Sequence, residues 1–322
     1  MESAFELTDV RKRFRLSNGG WNDALNGITL SIRPGEFIAI IGPSGAGKTT
    51  LLRLMNLTLR PDSGDVRVSD LNPADLNGKA LRTLRARTGT IYQQHNLIPT
   101  LRAVHNILAG RLSSWSILKA LYSLLSPRET TSAAEVAQKV GVLAKLWERT
   151  DRLSGGEQQR VAIARALIQN PSHLLADEPI ASVDPSRADA LIQLLRELSE
   201  EDEKTVVVNL HDVPVALRHF PRIIGLHAGE VFFDLPPEGI TENLLVGLYE
   251  GDEEIPEGEA RAWIGEAMKE SLAGGAHLSS SRLIAHPWRS EDSSFSLPVR
   301  QPFWLAFASS SSTRHFSSTR MR

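Results

Sequence analysis

The sequence predicts an α/β fold organised on a mainly parallel sheet. Three observations predict it. Strand-like and helix-like segments alternate from Glu36 to His227, the pattern left by repeated strand–helix–strand units. The run Phe37-Ile38-Ala39-Ile40-Ile41 is apolar at every position, as expected of a strand buried on both faces. Directly after it, Gly42-Pro43-Ser44-Gly45-Ala46-Gly47-Lys48-Thr49 fits the pattern G-x-x-x-x-G-K-[ST], and Leu51, Leu52, Leu54 and Met55 continue it with helical spacing.

The whole chain sets outer limits. Its 322 residues allow one large or two moderate domains, and 41% hydrophobic content is that of a globular protein. Lys and Arg number 36 against 38 Asp and Glu, a net charge of −2, which gives no electrostatic case for a nucleic-acid partner. There is no cysteine, so disulfides, thiolate metal sites and cysteine nucleophiles are excluded. No apolar run reaches the roughly 18 residues that cross a bilayer. Met1-Glu2-Ser3-Ala4-Phe5 does not read as a secretory signal. The expectation is a soluble cytoplasmic protein that meets a membrane only through a partner.

Taken in order, Phe5–Val10 and Leu25–Ile32 read as short strands ahead of the glycine loop. Between them lie Arg11-Lys12-Arg13-Phe14 and Gly19-Gly20-Trp21. Phe14 is a candidate to stack on an adenine face, although spacing alone favours ordinary hairpin packing of Phe14 or Trp21. After the first helix, Arg60–Asp65 is a turn and Val66–Val68 a strand. Lys79–Arg87 reads as a helix with a solvated arginine face. A strand then ends near Gln93, whose amide is placed to meet a metal ion and an attacking water if its neighbours are catalytic.

From Leu97 to Thr150 the pattern is mostly helical. Trp115, Leu118, Leu121 or Tyr122, and Leu125 recur at helical spacing, and the reading preferred here is core packing, with a groove for a partner helix second. Pro127 opens a further helix. Later strands are His173–Asp177, less apolar than expected at His173 and Ala176, then Thr205–Leu210. Ile223–His227 and Val231–Phe233 flank an Ala228-Gly229-Glu230 turn.

The loop after the first buried strand suits a nucleoside triphosphate. A helix N-terminus offers unpaired N–H groups and the positive end of its dipole to a dense anion. Gly42, Gly45 and Gly47 let backbone curl closely around phosphates. Lys48 supplies an ammonium to the β- and γ-phosphates, and the Thr49 hydroxyl a ligand to Mg2+. Ser154-Gly155-Gly156 opens a second helix and offers a second anion site. Two such sites far apart in sequence are explained if one nucleotide is gripped between two copies of the chain. Asp177 and Glu178 close an apolar strand: Asp177 is placed to hold magnesium through water, and Glu178 to polarise the attacking water. His211, at the end of the Thr205–Leu210 strand, is placed to reach a γ-phosphate. Lys48, Gln93, Asp177 and His211 all follow predicted strands, so they can converge where parallel sheets take ligands.

Together these residues resemble the ATP-binding subunits of ABC transporters, from about Phe5 to Tyr249. By match to the family pattern, Gly42–Thr49 is the Walker A loop, with Thr50 beside it in contact with the nucleotide. Gln93 is the Q-loop glutamine, Leu153–Gln158 the signature, Leu174–Glu178 the Walker B strand, Ser182–Asp184 the D-loop and His211 the switch histidine. The signature has Glu157 where many members have glutamine, and Phe14 replaces a frequent tyrosine.

The resemblance implies a P-loop NTPase (RecA-like) core, an N-terminal antiparallel β subdomain and an inserted α-helical subdomain over about 97–152, all within an ATPase domain of residues 1–250. It implies two ATP molecules with Mg2+ at the interface of a head-to-tail homodimer, touched by Ser154, Gly155, Gly156 and Asp184 across that interface. It implies two membrane permease subunits and a solute-binding protein as partners, and a peripheral place on the cytoplasmic face of the inner membrane. A narrower resemblance to the phosphonate-import ATPases rests on Ala109–Leu112 with the Ser/Trp/Leu insertion after it, on Leu175–Ser182, on Val208–Asp212, and on Arg222–Gly229 with Phe233-Asp234. The alternatives are an ATPase for another solute or for export, and a soluble P-loop NTPase, which has no use for Leu153–Gln158.

From Gly251 the composition changes. Asp252-Glu253-Glu254 begins an acidic linker, and Trp263, Ile264, Ala267, Met268 and Leu272 fit one amphipathic helix. From Leu278 to Arg322 the chain is rich in serine and arginine. It resembles nothing in the family, and residues 251–322 are expected to be an acidic linker and a disordered tail.

Overall fold

A computed structural model describes residues 2–17, 19–125, 127, 129–181, 185–250, 264–265 and 268–269. Its centre is a six-stranded sheet. The strands are β3 (Phe37–Ile41), β5 (Thr88–Ile91), β6 (His173–Asp177), β7 (Thr205–Asn209), β8 (Arg222–His227) and β9 (Glu230–Leu235). Their spatial order is β5-β6-β7-β3-β8-β9, all parallel except the final β8–β9 hairpin. Every residue of β3 and β7 is buried, as the unbroken apolar runs demand.

A second, antiparallel sheet of order β2-β1-β4 is made by β1 (Phe5–Arg15), β2 (Trp21–Ile32) and β4 (Ser63–Val68). Its first hairpin is longer than expected. Arg11–Arg15 and Trp21–Ala24 extend the hairpin beyond the expected Phe5–Val10 and Leu25–Ile32, with register shifts between Leu7 and Val10, Val10 and Arg11, and Lys12 and Arg13.

The two faces of the main sheet carry separate cores. On one face, Ile38, Ile40, Leu175 and Val207 pack with the antiparallel sheet and with helix α1 (Lys48–Met55), through Leu51, Leu52, Leu54 and Met55. Leu84 of α2 (Gly78–Ala86) joins this core. On the other face, Ala39, Ile41, Leu174, Val206 and Val208 pack with later helices. Strand alternation with period two produces this division.

Between β5 and the next strand the chain is helical, as expected: α3 (Ala103–Leu108), α4 (Ile117–Leu125), α5 (Thr130–Lys139) and α6 (Gly155–Leu167). Asn106 is buried and fixes this region. Its amide pairs with both backbone groups of Ile98 and donates to Thr150 Oγ1 at 2.8 Å. Gly110 lies so close to α6 that a Cβ there would stand 2.1 Å from the Arg165 carbonyl oxygen. The remaining helices are α7 (Pro185–Glu201), α8 (Val213–His219) and α9 (Glu242–Leu248).

One expectation is overturned. Most of the Trp115–Leu125 stripe does not pack as core: Leu118 is 81% exposed, Leu121 and Tyr122 are also exposed, and Trp115 rests against the core; the Leu125 side chain lies outside the described ones. α4 sits on the outside of the helical region, where no other described element covers that face. No helix among the described residues is long and apolar enough to cross a membrane. Of the expected Trp263–Leu272 helix, Ile264 is buried in the larger core and Met268 packs against it. The rest of that helix, the tail, and Ser182–Asp184 lie outside the described residues.

Candidate functional site

Four neighbouring parallel strands end on one side of the sheet. Taken in the order β5, β6, β7, β3, the residues at or just past their carboxyl ends are Gln93, then Asp177 and Glu178, then Asn209 and His211, then the loop Gly42–Thr49. Open α/β sheets take ligands along this edge.

The loop is shaped by its glycines and closed by its lysine. Gly47 has φ of 100° and leads into α1, with a Cβ there placed only 2.4 Å from the Ala24 carbonyl oxygen of β2. α1 has no side-chain cap and no acidic residue in its first turn, so its N-terminal N–H groups and dipole face the loop uncompensated. By contrast, Asn77 caps α2, Ser154 caps α6, Asp212 caps α8 and Thr241 caps α9. Lys48 is 5% exposed, and its Nζ donates to the carbonyl oxygens of Gly42 at 2.7 Å and Pro43 at 3.0 Å. A buried ammonium needs such acceptors, and here the loop supplies them from its own backbone. Pro43 and Ala46 are buried, Ser44 and Gly45 exposed, and Thr50 half-buried.

Three contacts tie the site residues together, one of them between the loop and a strand end. Thr49 Oγ1 donates to Asp177 Oδ1 at 3.1 Å, and Asn209 Nδ2 donates to the same oxygen at 2.9 Å. Glu178 Oε1 and His211 Nε2 are 2.6 Å apart. Glu178 has φ of 49°, an uncommon backbone state for a glutamate and one found where structure over-determines a functional residue. Its N–H donates to the Asn209 carbonyl at 3.2 Å. Strand pairing places Asp177 opposite Asn209, so Asp177 and Glu178 point in different directions: one to the loop, the other to His211.

Ser154, Gly155 and Gly156 begin α6. Ser154 and Glu157 form a reciprocal cap: Ser154 N and Oγ donate to Glu157 Oε2 at 2.8 and 2.9 Å, while Glu157 N donates to Ser154 Oγ. The Ser154 backbone N–H, helped by its hydroxyl and by Lys145, holds the Glu157 carboxyl below its usual range. This gives Glu157 a structural use where many family members have glutamine.

No hydrogen bond or ion pair among the described residues joins Gln93, Phe14 or Ser154 to the loop or the acids. Gln93 is exposed just beyond β5. Phe14 lies half-buried in the β1–β2 hairpin, opposite Asn22, with Lys12 Nζ 5.7 Å from its ring centre. Asp184 lies outside the described residues.

Three residues were not found from the sequence. Asn209 is fully buried, and its only signal was an amide closing a valine run. Gln159 is buried and donates to the Pro179 carbonyl, tying α6 to the turn after Glu178. Arg165 donates to the carbonyls of Asn96 at 2.6 Å and His95 at 2.7 Å, fastening the loop after Gln93 to α6. Burial lowers the Arg165 pKa.

The donor set suits magnesium. A hydroxyl and a single carboxylate oxygen meet at the loop, and this hard cation takes oxygen ligands, keeps several waters and shares phosphate oxygens. Asn209 Oδ1 is buried beside them with no hydrogen-bond partner among the described residues, an arrangement that costs about 1–3 kcal/mol unless something donates to it.

The chain is similar to known proteins. Residues 25–181 match the ABC transporter family model. The phosphonates import ATP-binding protein PhnC of Pseudomonas putida is 44% identical over 233 residues, 72% of this chain and 87% of its own. That of Thiobacillus denitrificans is 44% identical over 248 residues, 77% and 93% of the two chains. The bacterial ABC transporter cassette MJ0796, solved as a dimer, is 35% identical with a TM-score of 0.63, and the match covers 73% of this chain and all of that one. The same cassette has been solved as a post-hydrolysis dimer bound to ADP and Pi (36% identity, TM-score 0.60). The chain is therefore a member of the ABC transporter family, an ATP-binding ATPase subunit with the P-loop NTPase fold.

Proposed function

We propose that this chain hydrolyses ATP to drive uptake of a phosphonate or a related phosphorus oxyanion through a partner permease. The observation that carries the ATPase half is the pairing of Thr49 with Asp177 and of Glu178 with His211 along one strand edge beside a buried lysine loop. The solute rests on kinship with relatives named as phosphonate importers.

In this reading Lys48 and the N–H groups of Gly45–Thr50 bind the β- and γ-phosphates. Thr49 and Asp177, with Gln93 at the end of β5, would hold a magnesium ion, which when bound would neutralise charge on those phosphates. Glu178 accepts the proton of the attacking water as its oxygen bonds to the γ-phosphorus and the bond to ADP breaks. His211 donates to Glu178 Oε1 and keeps that carboxylate aimed at the water. Phe14 stacks on the adenine.

Ser154, Gly155, Gly156 and Asp184 complete the site from a second copy, so two ATP molecules close a homodimer. Two permease subunits and a solute-binding protein complete the assembly, with this chain peripheral on the cytoplasmic face of the inner membrane. The exposed Leu118, Leu121 and Tyr122 give the helical region of about 97–152 an apolar face for the permease. Residues 1–250 form the ATPase domain and 251–322 an appendage.

Growth on a phosphonate as sole phosphorus source tests this, in cells lacking the chain and complemented with wild type or Lys48→Ala. Rescue by wild type alone is expected. Normal growth without the chain, in the presence of the permease, removes the phosphonate assignment.

A further inference from the structure

β7 reads Thr-Val-Val-Val-Asn; Thr205 at its start accepts a hydrogen bond from the Gly35 N–H, and Asn209 is the polar residue at its carboxyl end. Val206 and Val208 lie in the core on the far face, and Val207 lies in the core shared with α1. Alternation therefore puts Asn209 on the α1 face, beside Thr49 and Asp177. It is 0% exposed. A fourth valine there would bury no polar group.

The amide has a fixed orientation. An ionised carboxylate only accepts, so the group facing Asp177 Oδ1 at 2.9 Å must be Nδ2. That turns Asn209 Oδ1 to the other side, where it is buried with no partner among the described residues. Thr49 and Asn209 both donate to Asp177 Oδ1, and neither donates to Oδ2.

We propose that Asn209 is a positioning residue for the cation half of the site. Nδ2 pins Asp177 by one oxygen and leaves the other to the cation's hydration shell, and Asn209 Oδ1 accepts a hydrogen from a water of that shell. This rests on the reading of Thr49 and Asp177 as the magnesium side of the site. Magnesium retains several of its waters when protein-bound, and those waters are donors of the kind a buried amide oxygen requires. Removing a partner that orients metal ligands typically changes metal affinity by roughly 10- to 100-fold.

The test is calorimetric titration of ATP into the full-length chain carrying Glu178→Gln, in excess MgCl2 and again in EDTA, with and without Asn209→Val. The expected result is about a tenfold loss of affinity in MgCl2 and an affinity in EDTA unchanged within about twofold. Valine removes an unpartnered buried oxygen and, with it, the hydrogen bond to Asp177; these effects oppose each other, so the nucleotide-free melting temperature is expected to change little. Unchanged affinity in MgCl2 overturns the proposal. Equal losses in both conditions also overturn it, since Asn209 would then support the loop itself. If Asn209→Val does not fold, Asn209→Leu replaces it, and failure of both to fold is a third contrary result. Asp177→Asn is the control. If that change leaves the magnesium-dependent gain intact, the reading of the cation site fails and not the role of Asn209 alone.

Discussion

Two glycines of one loop give predictions that differ in size. Gly47 has φ of 100°, and a Cβ there would stand 2.4 Å from the Ala24 carbonyl oxygen and 2.8 Å from Leu25 Cδ2. Ordinary contact begins near 3.4 Å, so something must move by about 1 Å. Ala24 is buried within β2, between the paired Asp23 and Leu25, which leaves the loop to move. Left-handed backbone costs an alanine about 1–2 kcal/mol, and overpacking adds about 1–3 kcal/mol. Gly47→Ala is therefore expected to lose about 2–5 kcal/mol of unfolding free energy and to abolish ATP-dependent stabilisation.

Gly45 has φ of 79°, and a Cβ added there would meet nothing within 4 Å. Gly45→Ala carries only the backbone cost of about 1–2 kcal/mol. Urea unfolding with and without ATP measures both effects. Equal losses for the two variants would refute the assignment of the difference to the wall formed by β2.

Two further outcomes follow from residues that the mechanism does not use directly. Arg165→Leu removes two charge-assisted bonds to the loop after Gln93, each worth roughly 1.5–3 kcal/mol. Faster hydrogen exchange across residues 93–98 and lower ATPase turnover are expected, and unchanged exchange would contradict the tether. Burial, aided by the positive charge of Arg87, pushes His173 down from 6.5 to about 4. It stays neutral in the fold while the unfolded chain takes up a proton below pH 6.5. The stability it preserves is therefore full above pH 6.5 and lost as pH falls toward 4, by about 1.4 kcal/mol per pH unit at most. Urea midpoints across that range should fall less steeply for His173→Asn than for wild type. Identical slopes would contradict this.

Much of the site was legible because each part carries a local chemical signature. Gly42–Thr49 declares itself by a loop that must fit phosphate, Asp177-Glu178 by acids closing an apolar strand, and Ser154–Glu157 by a serine and glycines opening a helix. Asn209 was not legible, because its partner is 32 residues away and becomes its neighbour only through strand pairing. The same holds for Arg165, whose acceptors are backbone carbonyls 69 and 70 residues earlier. The insertion of β3 between β7 and β8 likewise depends on crossovers that no local pattern encodes. The α4 stripe was misread for a different reason: helical periodicity reports an apolar face but not what covers it.

The central claim is that ATP is held between two copies of this chain, the loop of one facing Ser154 of the other. Sedimentation velocity of Glu178→Gln with saturating MgATP tests it most directly. The expected result is a monomer without nucleotide and a dimer with it, the dimer being lost when Ser154→Arg is added. A Glu178→Gln protein that binds ATP and stays monomeric would contradict the claim.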